Sequence, residues 1–296
     1  MSVELKGVLP PIPTPFGEDG EVAYGELAEN LERWNRTDLS GYLVTGSNGE
    51  FTALTEHEKM RVWEVARKHI PAQKRFLAGT GCETTRETIA LTRQAASAGA
   101  EAALVVTPWY NKGAMKTREL VAHFTAVADA ASIPILLYNV PQFTGVTIGF
   151  DAVAKLAEHP NIIGMKDSAG LMEMFAEYGR VTPPSFQLFI GSALSFYVAL
   201  CLGARGGILA LANIAPQECV LIQRFFEDGK HEEAKRLQLT LMPLTNVIGS
   251  RFGISGLKAA MTLCGYYGGP PRPPLLPLRA EEIEAVRLEL AAVGLL

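Results

Sequence analysis

Short runs of consecutive apolar and β-branched residues recur along the chain, separated by longer and more polar segments. There are eight of these runs: VLPPI after Gly7, GYLVTG at 41–46, RFLAGTG at 75–81, AALVVTP at 102–108, PILLYNVP at 134–141, NIIGMKD at 161–167, QLFIGS at 187–192 and GGILALAN at 206–213. An unbroken apolar run, rather than strict alternation, is typical of parallel strands buried on both faces. Parallel strands need long crossovers, so the pattern predicts helices between the runs.

The intervening segments repeat their apolar residues at helical spacing. They cover 24–34, 56–70, 85–98, 117–131, 150–159, 171–178 and 193–202. Thr55 and Glu58 have the spacing of a capping box at a helix start. Eight strands alternating with helices predict an α/β fold, the (β/α)8 TIM barrel, and a doubly wound parallel sheet is the alternative.

The pattern changes after Asn213, where only helical periodicity remains, at 216–226, 232–244, 254–264 and 280–290. The segment 265–277 is rich in proline and glycine and cannot be helical through its middle. We therefore predict a barrel domain over 1–214 and a C-terminal all-helical extension over 215–296.

Composition narrows the classes of function. The 296 residues are 48% hydrophobic and 20% charged, as in globular proteins, and their net charge is −4 without a basic run. This balance argues against nucleic acid as a partner, and no apolar stretch is long enough to span a membrane. Four cysteines without CxxC or zinc-finger spacing are interpreted as buried thiols of a soluble cytoplasmic protein.

Reactive side chains of such barrels lie at the C-terminal ends of the strands. Lys166 ends the run IIGM and is expected to point into the barrel mouth. An amine held out of bulk water attacks a ketone carbonyl readily, and the resulting protonated imine is an electron sink. The alternative is a structural ion pair between Lys166 and Asp167 or Glu50.

Three other strand ends carry candidate chemistry. Tyr138 could transfer protons near an imine, or its ring could simply belong to the core. The small and polar residues of segment 45–50 suit a carboxylate, although Asn48-Gly49 is also a common turn. Trp109 and Tyr110 either cover a pocket or pack at an oligomer interface.

Metal and nucleotide motifs do not stand out. The five histidines form no HExxH pattern, and no GxGxxG or GxxxxGK[ST] sequence opens a helix. We therefore predict no catalytic metal and no organic cofactor.

Five ordered motifs together point to a family. They are GSNGE at 46–50, TPWYNKG at 107–113, YNVPQFTG at 138–145, GMKDSAG at 164–170 and ALAN at 210–213. In this order they resemble the dihydrodipicolinate synthase and N-acetylneuraminate lyase family of pyruvate-dependent class I aldolases. Within it, GSNGEF, GMKDS and the tail motifs RFGISGLKAAM and GYYGGPPRPPL are most similar to the 4-hydroxy-2-oxoglutarate aldolase branch, which cleaves its substrate to pyruvate and glyoxylate.

The resemblance implies roles for individual residues. Lys166 would form the imine with the 2-keto carbon, and Tyr138 would act as acid and base at the C4 hydroxyl. Ser47, Asn48 and the adjacent backbone at Gly49 would bind the carboxylate of the 2-keto acid. Ser168 would lie near the imine, and Gly191 and Ile208 would line the site. A neighbouring subunit would lend Tyr110, which implies a homotetramer built as a dimer of dimers.

Two departures from the synthase pattern bear on the aldehyde. Ser47-Asn48 replaces Thr-Thr, and Phe143 stands where the synthase has an arginine for the carboxylate of the aldehyde. A phenyl ring cannot make the bidentate contact of a guanidinium. Ser192, Asn213 or backbone donors are the candidates to replace it.

Two alternatives to the cleavage of 4-hydroxy-2-oxoglutarate therefore stay open. One is a 4-hydroxy-tetrahydrodipicolinate synthase that condenses pyruvate with aspartate semialdehyde. The other is a non-catalytic barrel that binds a keto acid, because fold does not determine function.

Overall fold

Eight parallel strands form the centre of the molecule. The computed structural model describes residues 3–296; residues 1 and 2, which the predicted barrel domain includes, lie outside that range. The strands are β1 (Gly7–Leu9), β2 (Gly41–Val44), β3 (Arg75–Gly79), β4 (Ala102–Val106), β5 (Ile135–Asn139), β6 (Ile162–Asp167), β7 (Gln187–Ile190) and β8 (Gly206–Ile208). Seven of them lie inside one of the predicted runs, and β1 begins one residue before the run VLPPI.

The strands close into a ring. Their order is β1-β8-β7-β6-β5-β4-β3-β2, with every pair parallel. The ring closes between β1 and β2, where Ser40 N donates to Val8 O (2.9 Å) and Leu43 N donates to Pro10 O (3.0 Å). This closure confirms the (β/α)8 barrel, and the doubly wound sheet is wrong.

Helices cover the outside of the barrel. They are α1 (Tyr24–Trp34), α2 (Glu56–His69), α3 (Thr85–Ser97), α4 (Thr117–Ala130), α5 (Pro141–Thr144), α6 (Phe150–Leu156), α7 (Met172–Val181) and α8 (Phe196–Cys201). The capping box at α2 is present, with Thr55 N donating to Glu58 Oε2 (2.8 Å). The single turn α5 is not predicted by the pattern; it begins at Pro141, whose ring suits a first helical position, and ends at Gly145 with φ 64°.

The strands are buried on both faces, which explains their unbroken apolar character. Leu43, Leu77, Leu136 and Phe189 fill the inside of the barrel. Their neighbours along each strand face the helices instead, as Tyr42 does. Alternation between two apolar environments leaves no polar face on a strand.

All regular elements beyond β8 are helical. The elements are α9 (Pro216–Glu227), α10 (His231–Asn246), a π-helical turn (Val247–Arg251), α11 (Gly253–Leu263) and α12 (Ala280–Ala292). Residues 265–277 form no helix, as predicted. The domain boundary at 214 stays a prediction.

The cysteines depart from the expectation. All four are free thiols, but only Cys219 is buried and Cys201 is exposed, so the prediction that all are buried is wrong. Within residues 3–296, no helix combines the length and the apolar character needed to cross a membrane.

Candidate active site

A cavity of about 340 Å³ opens at the C-terminal ends of the strands. Eight of the residues singled out in the sequence line it: Asn48, Tyr138, Phe143, Lys166, Ser168, Gly191, Ser192 and Ile208. They come from five different strand ends and the loops that follow. Closure of the barrel is what brings them to a common rim.

Lys166 ends inside this cavity. It lies beside Tyr138 in the β5–β6 register, is 4% exposed, and places its Nζ 4.3 Å from the centroid of the Tyr138 ring. Within residues 3–296 it forms no ion pair with a carboxylate, because Glu50 pairs with Lys258 instead. The structural ion pair considered for Lys166 is therefore wrong, and its amine is available to a substrate.

Asp167 points away from the cavity, since neighbouring residues of a strand face opposite sides. Its Oδ1 accepts a hydrogen bond from Asn139 Nδ2 (2.7 Å), and the side chain is fully buried. Burial raises the pKa of this carboxyl group. Asp167 thus belongs to the packing between β6 and the helices.

Tyr138 has its hydroxyl at the cavity wall. Tyr138 Oη lies 3.3 Å from Ser47 Oγ, and among the described residues no backbone carbonyl binds the phenol. A core ring with a satisfied hydroxyl would instead be tied to a structural partner, as Tyr42 is to Asn35 Oδ1 at 2.8 Å. The geometry favours the interpretation of Tyr138 as a proton-transfer group.

Ser47 and Asn48 lie on a tight turn after β2. Gly49 N donates to Gly46 O (3.0 Å) and Glu50 N donates to Ser47 O (3.1 Å). Gly49 does not line the cavity; its carbonyl accepts a hydrogen bond from Thr14 Oγ1 (2.7 Å). The turn therefore presents the side chain of Asn48 to the cavity and keeps Gly49 behind it.

Gly191 leaves room beside the lysine. A Cβ at this position would collide with Ser168 Oγ and lie 2.8 Å from Lys166 Cε. Its N–H donates to Asp167 O (2.6 Å), which anchors the end of β7 to β6. A side chain here would occupy the space that an imine needs.

Two aromatic residues from the predicted site are exposed. Phe143 on α5 is 71% exposed at the cavity mouth, and Tyr110 is 83% exposed and does not line the cavity of its own chain. Glu83 accepts the backbone N–H groups of Trp109 (3.0 Å) and Tyr110 (2.7 Å). This clamp holds Tyr110 outward from the barrel.

One wall of the cavity is not predicted by the sequence. Thr245, Ile248, Ser250 and Leu257 line it from the C-terminal helices and the π-helical turn. A π-helical turn is a frequent feature of functional sites, but it leaves no signature in hydrophobic periodicity. Gln142, also not predicted, lines the cavity as well, and its Nε2 donates to Ser168 O (2.9 Å).

Asn213 does not replace the missing arginine. Its Nδ2 donates to Pro11 O (3.1 Å) and Ala210 O (2.9 Å), and the residue is fully buried outside the cavity lining. Ser192 does line the cavity. In the part of the chain that the structure describes, no cluster of three His, Cys, Asp or Glu residues could hold a metal ion; the absence of a catalytic metal stays a prediction.

Comparisons with known proteins agree with this geometry. Residues 4–293 match the dihydrodipicolinate synthetase family. A 4-hydroxy-tetrahydrodipicolinate synthase of Methanopyrus kandleri is 34% identical, covering 100% of this chain and 99% of the relative. The chloride-inhibited dihydrodipicolinate synthase of Acinetobacter baumannii complexed with pyruvate has a TM-score of 0.95 and 31% identity, covering 99% of this chain and 100% of that one.

A third similar structure is that of DHDPS from Cyanidioschyzon merolae with lysine bound. It has a TM-score of 0.94 and 32% identity, covering 98% of this chain and 99% of that chain. The similarity thus includes the barrel and the C-terminal helices together. The chain belongs to the dihydrodipicolinate synthetase family and is a pyruvate-dependent class I aldolase.

Proposed function

We propose that this aldolase cleaves 4-hydroxy-2-oxoglutarate to pyruvate and glyoxylate. The observation that carries the proposal is the charge of the cavity. Among the described residues that line it, Lys166 is the only one with a cationic side chain, and Phe143 lies at its mouth. A substrate whose second carboxylate needs a guanidinium at the mouth is therefore poorly matched.

The two candidate aldehydes differ in where that carboxylate lies. In glyoxylate it is bonded directly to the aldehyde carbon, so it stays close to the reacting bond. In aspartate semialdehyde two further carbons separate it from the aldehyde, which carries the charge toward Phe143. Neutral donors that line the cavity, such as Gln142 and Ser192, are matched to a carboxylate that needs no guanidinium.

The reaction follows from the positions of two side chains. The neutral amine of Lys166 attacks the 2-keto carbon, and loss of water leaves a protonated imine. Tyr138 gives its phenol proton to the departing water, and the resulting phenolate removes the proton of the C4 hydroxyl, so that the C3–C4 electrons flow into the imine and glyoxylate leaves. The enamine takes a proton at C3, and water hydrolyses the imine to release pyruvate and Lys166.

The turn that carries Ser47 and Asn48 is assigned to the carboxylate beside the keto group. The Asn48 amide and the Ser47 hydroxyl supply neutral donors next to Tyr138. Hydrogen bonds to a carboxylate are stronger than those between neutral groups. They would hold the 2-keto carbon in reach of Lys166, and Ser168 would support the imine from the other side.

A second candidate is the 4-hydroxy-tetrahydrodipicolinate synthase reaction. The observation that favours it is the name shared by relatives that cover nearly the whole chain. Both candidates use the same imine, so only the aldehyde separates them. The non-catalytic keto-acid-binding barrel is not supported, because family membership identifies an enzyme.

Assembly and location also belong to this proposal. We infer a homotetramer, a dimer of dimers in which Tyr110 reaches the cavity of a neighbouring subunit, because its ring is exposed and clamped away from its own cavity.

The free thiols support a cytoplasmic location. The division into a barrel at 1–214 and an extension at 215–296 is retained as part of the proposal.

The first experiment is reduction with borohydride in the presence of pyruvate, followed by peptide mass spectrometry. We expect the adduct on Lys166, its loss in Lys166→Ala, and its persistence in Lys155→Ala, which removes an exposed lysine of α6. Turnover of 4-hydroxy-2-oxoglutarate is then compared with condensation of pyruvate and aspartate semialdehyde. Condensation that is faster than cleavage would favour the synthase reaction over the proposed one. Full turnover by Lys166→Ala would refute the imine mechanism.

A further inference from the structure

The turn that carries Ser47 and Asn48 is bent into the left-handed backbone region at both ends. Thr45 has φ 55° and Glu50 has φ 52°, and neither is glycine. Such conformations cost free energy and persist only where the surrounding structure holds them. One such residue at each end of the four-residue segment 46–49 indicates that contacts with the rest of the protein impose the shape of this segment.

The Thr45 end is held by hydrogen bonds. Trp63 Nε1 donates to Thr45 Oγ1 (2.8 Å), and the proton of that hydroxyl has two acceptors within reach, Val44 O (2.7 Å) and Gly79 O (3.0 Å). Both residues are almost fully buried. This end of the turn is therefore tied to α2 and to β3.

The Glu50 end is held by charge. Glu50 Oε1 lies 2.6 Å from Lys258 Nζ on α11, and the two side chains are 2% and 1% exposed. Glu50 Oε2 accepts the backbone N–H of Arg272 (2.9 Å), and Lys258 Nζ donates to Pro270 O (2.9 Å). A glutamate two residues from Asn48 is thus joined to a lysine far along the chain.

Further contacts surround this pair. The Phe16 ring contacts two cations, since its centroid lies 4.4 Å from Lys258 Nζ and 4.4 Å from the Arg272 guanidinium carbon. Arg272 makes a bidentate contact with Glu58 at 2.6 and 3.0 Å. The guanidinium thereby fixes the strap 265–277 against the start of α2.

A buried ion pair is poor evidence for a purely stabilising role. Removing two charges from water costs about as much as their attraction returns, and apolar replacements are often as stable. Burial lowers the pKa of Lys258, which reflects that cost. The neighbouring Leu257 lines the cavity, as Asn48 does, so the pair connects two walls of the site.

We propose that Glu50 and Lys258 are positioning residues whose ion pair holds the turn 45–50 in the shape that directs Ser47 and Asn48 at the carboxylate of the keto acid. This inference rests on the proposed function, because it takes the imine on Lys166 as its starting point. It assigns to the pair an effect on carboxylate recognition and none on the reactivity of the amine. A merely structural pair would affect both alike.

The test separates these effects with two ketones. The double variant Glu50→Gln/Lys258→Met removes both charges with little change in volume and leaves an oxygen for the Arg272 N–H. Adducts on Lys166 are trapped with borohydride over a range of pyruvate concentrations, and in parallel over a range of acetone, which lacks the carboxylate. We expect the variant to need about tenfold more pyruvate than the wild type for half-maximal trapping, which is the scale of one lost hydrogen bond to a charged group. The acetone concentration at half-maximal trapping should not change.

The matched control is another ion pair of the same length. Arg75→Met/Glu101→Gln removes a contact of 2.6 Å at the start of β3, at the opposite end of the barrel. We expect the ratio of the pyruvate concentration to the acetone concentration at half-maximal trapping to equal that of the wild type. Thermal unfolding of both double variants reports any loss of stability separately.

A folded Glu50→Gln/Lys258→Met chain with an unchanged ratio would overturn the positioning role. If that variant does not fold, Glu50→Asp keeps both charges but retracts the carboxylate by one methylene, and an unchanged ratio there overturns the role equally. Absence of a pyruvate adduct in the wild type refutes the proposed function, and the positioning role with it. A wild-type adduct with an unchanged variant ratio refutes only the positioning role.

Discussion

Ser47 Oγ lies 3.3 Å from Tyr138 Oη, while Lys166 Nζ lies 4.3 Å from the centroid of the same tyrosine ring. One phenol thus contacts both the turn after β2 and the lysine of β6. The hydroxyl of Tyr138 is within hydrogen-bond distance of Ser47 Oγ, while the ring of Tyr138 packs against the amine of Lys166. This arrangement places the turn that we propose to bind the carboxylate beside the proposed proton-transfer group.

Removing the phenol hydroxyl should separate imine formation from cleavage. We expect Tyr138→Phe to retain a trappable pyruvate adduct on Lys166 but to lose about a hundredfold or more in turnover, the scale of a positioned acid and base. Single-turnover rates and borohydride trapping measure the two steps. Tyr42→Phe, which removes a buried hydroxyl bound to Asn35, is the control and should keep the wild-type rate. Equal loss in both variants would contradict the assigned role.

A guanidinium at the cavity mouth should change the preference for the aldehyde. We expect Phe143→Arg to raise kcat/KM for aspartate semialdehyde by about tenfold relative to that for 4-hydroxy-2-oxoglutarate, because a bidentate contact becomes available to the distant carboxylate. Parallel steady-state assays measure the ratio. Phe150→Arg places the same charge at an exposed phenylalanine outside the cavity lining and should leave the ratio unchanged. No change in Phe143→Arg would argue against the mouth as the recognition site.

Exchange of Tyr110 between subunits can be tested by complementation. We expect Tyr110→Ala and Lys166→Ala to be inactive alone. In a mixed dimer, one site combines an intact Lys166 with an intact Tyr110 from the partner. Random mixing should then restore about a quarter of wild-type activity, since half of the dimers are mixed and each has one complete site. Mixtures that stay inactive after subunit exchange would show that Tyr110 is not shared.

Stability should depend on pH through His123 on α4. This histidine is 6% exposed, its Nδ1 lies 2.9 Å from Thr85 Oγ1, and its buried Nε2 has no partner among the described residues. Burial lowers the pKa of His123 from 6.5 to about 4. Between these values the unfolded chain binds the proton and the folded chain does not, so stability falls as pH decreases and no penalty remains above about pH 6.5.

The size of this effect follows from the difference between the two pKa values. At about 1.4 kcal/mol per pH unit, protonation of His123 should cost about 3 kcal/mol of unfolding free energy at pH 4 relative to pH 7. Denaturant unfolding at several pH values measures the cost, which should be absent in His123→Gln. His57→Gln removes an exposed histidine of α2 and should keep the wild-type pH dependence. A wild-type profile in His123→Gln would exclude this residue as the cause.

Much of the fold could be predicted because burial on both faces leaves a strong pattern. The apolar runs at 41–46 and 134–141, for example, contain β2 and β5. The short helix α5 escaped prediction because one turn is too short to show a helical period. The π-helical turn escaped because it follows α10 directly and hydrophobic periodicity does not distinguish a π-helical turn from the end of an α-helix.

The sequence by itself determined that Lys166 and Tyr138 lie at strand ends, and the predicted barrel therefore brought them to one rim. It did not determine their partners. Glu50 was a candidate partner of Lys166, and only the folded chain shows that it pairs with Lys258 on α11. The reason is physical: local periodicity reports which face of an element is buried, whereas an ion pair depends on distances between elements, which packing alone decides.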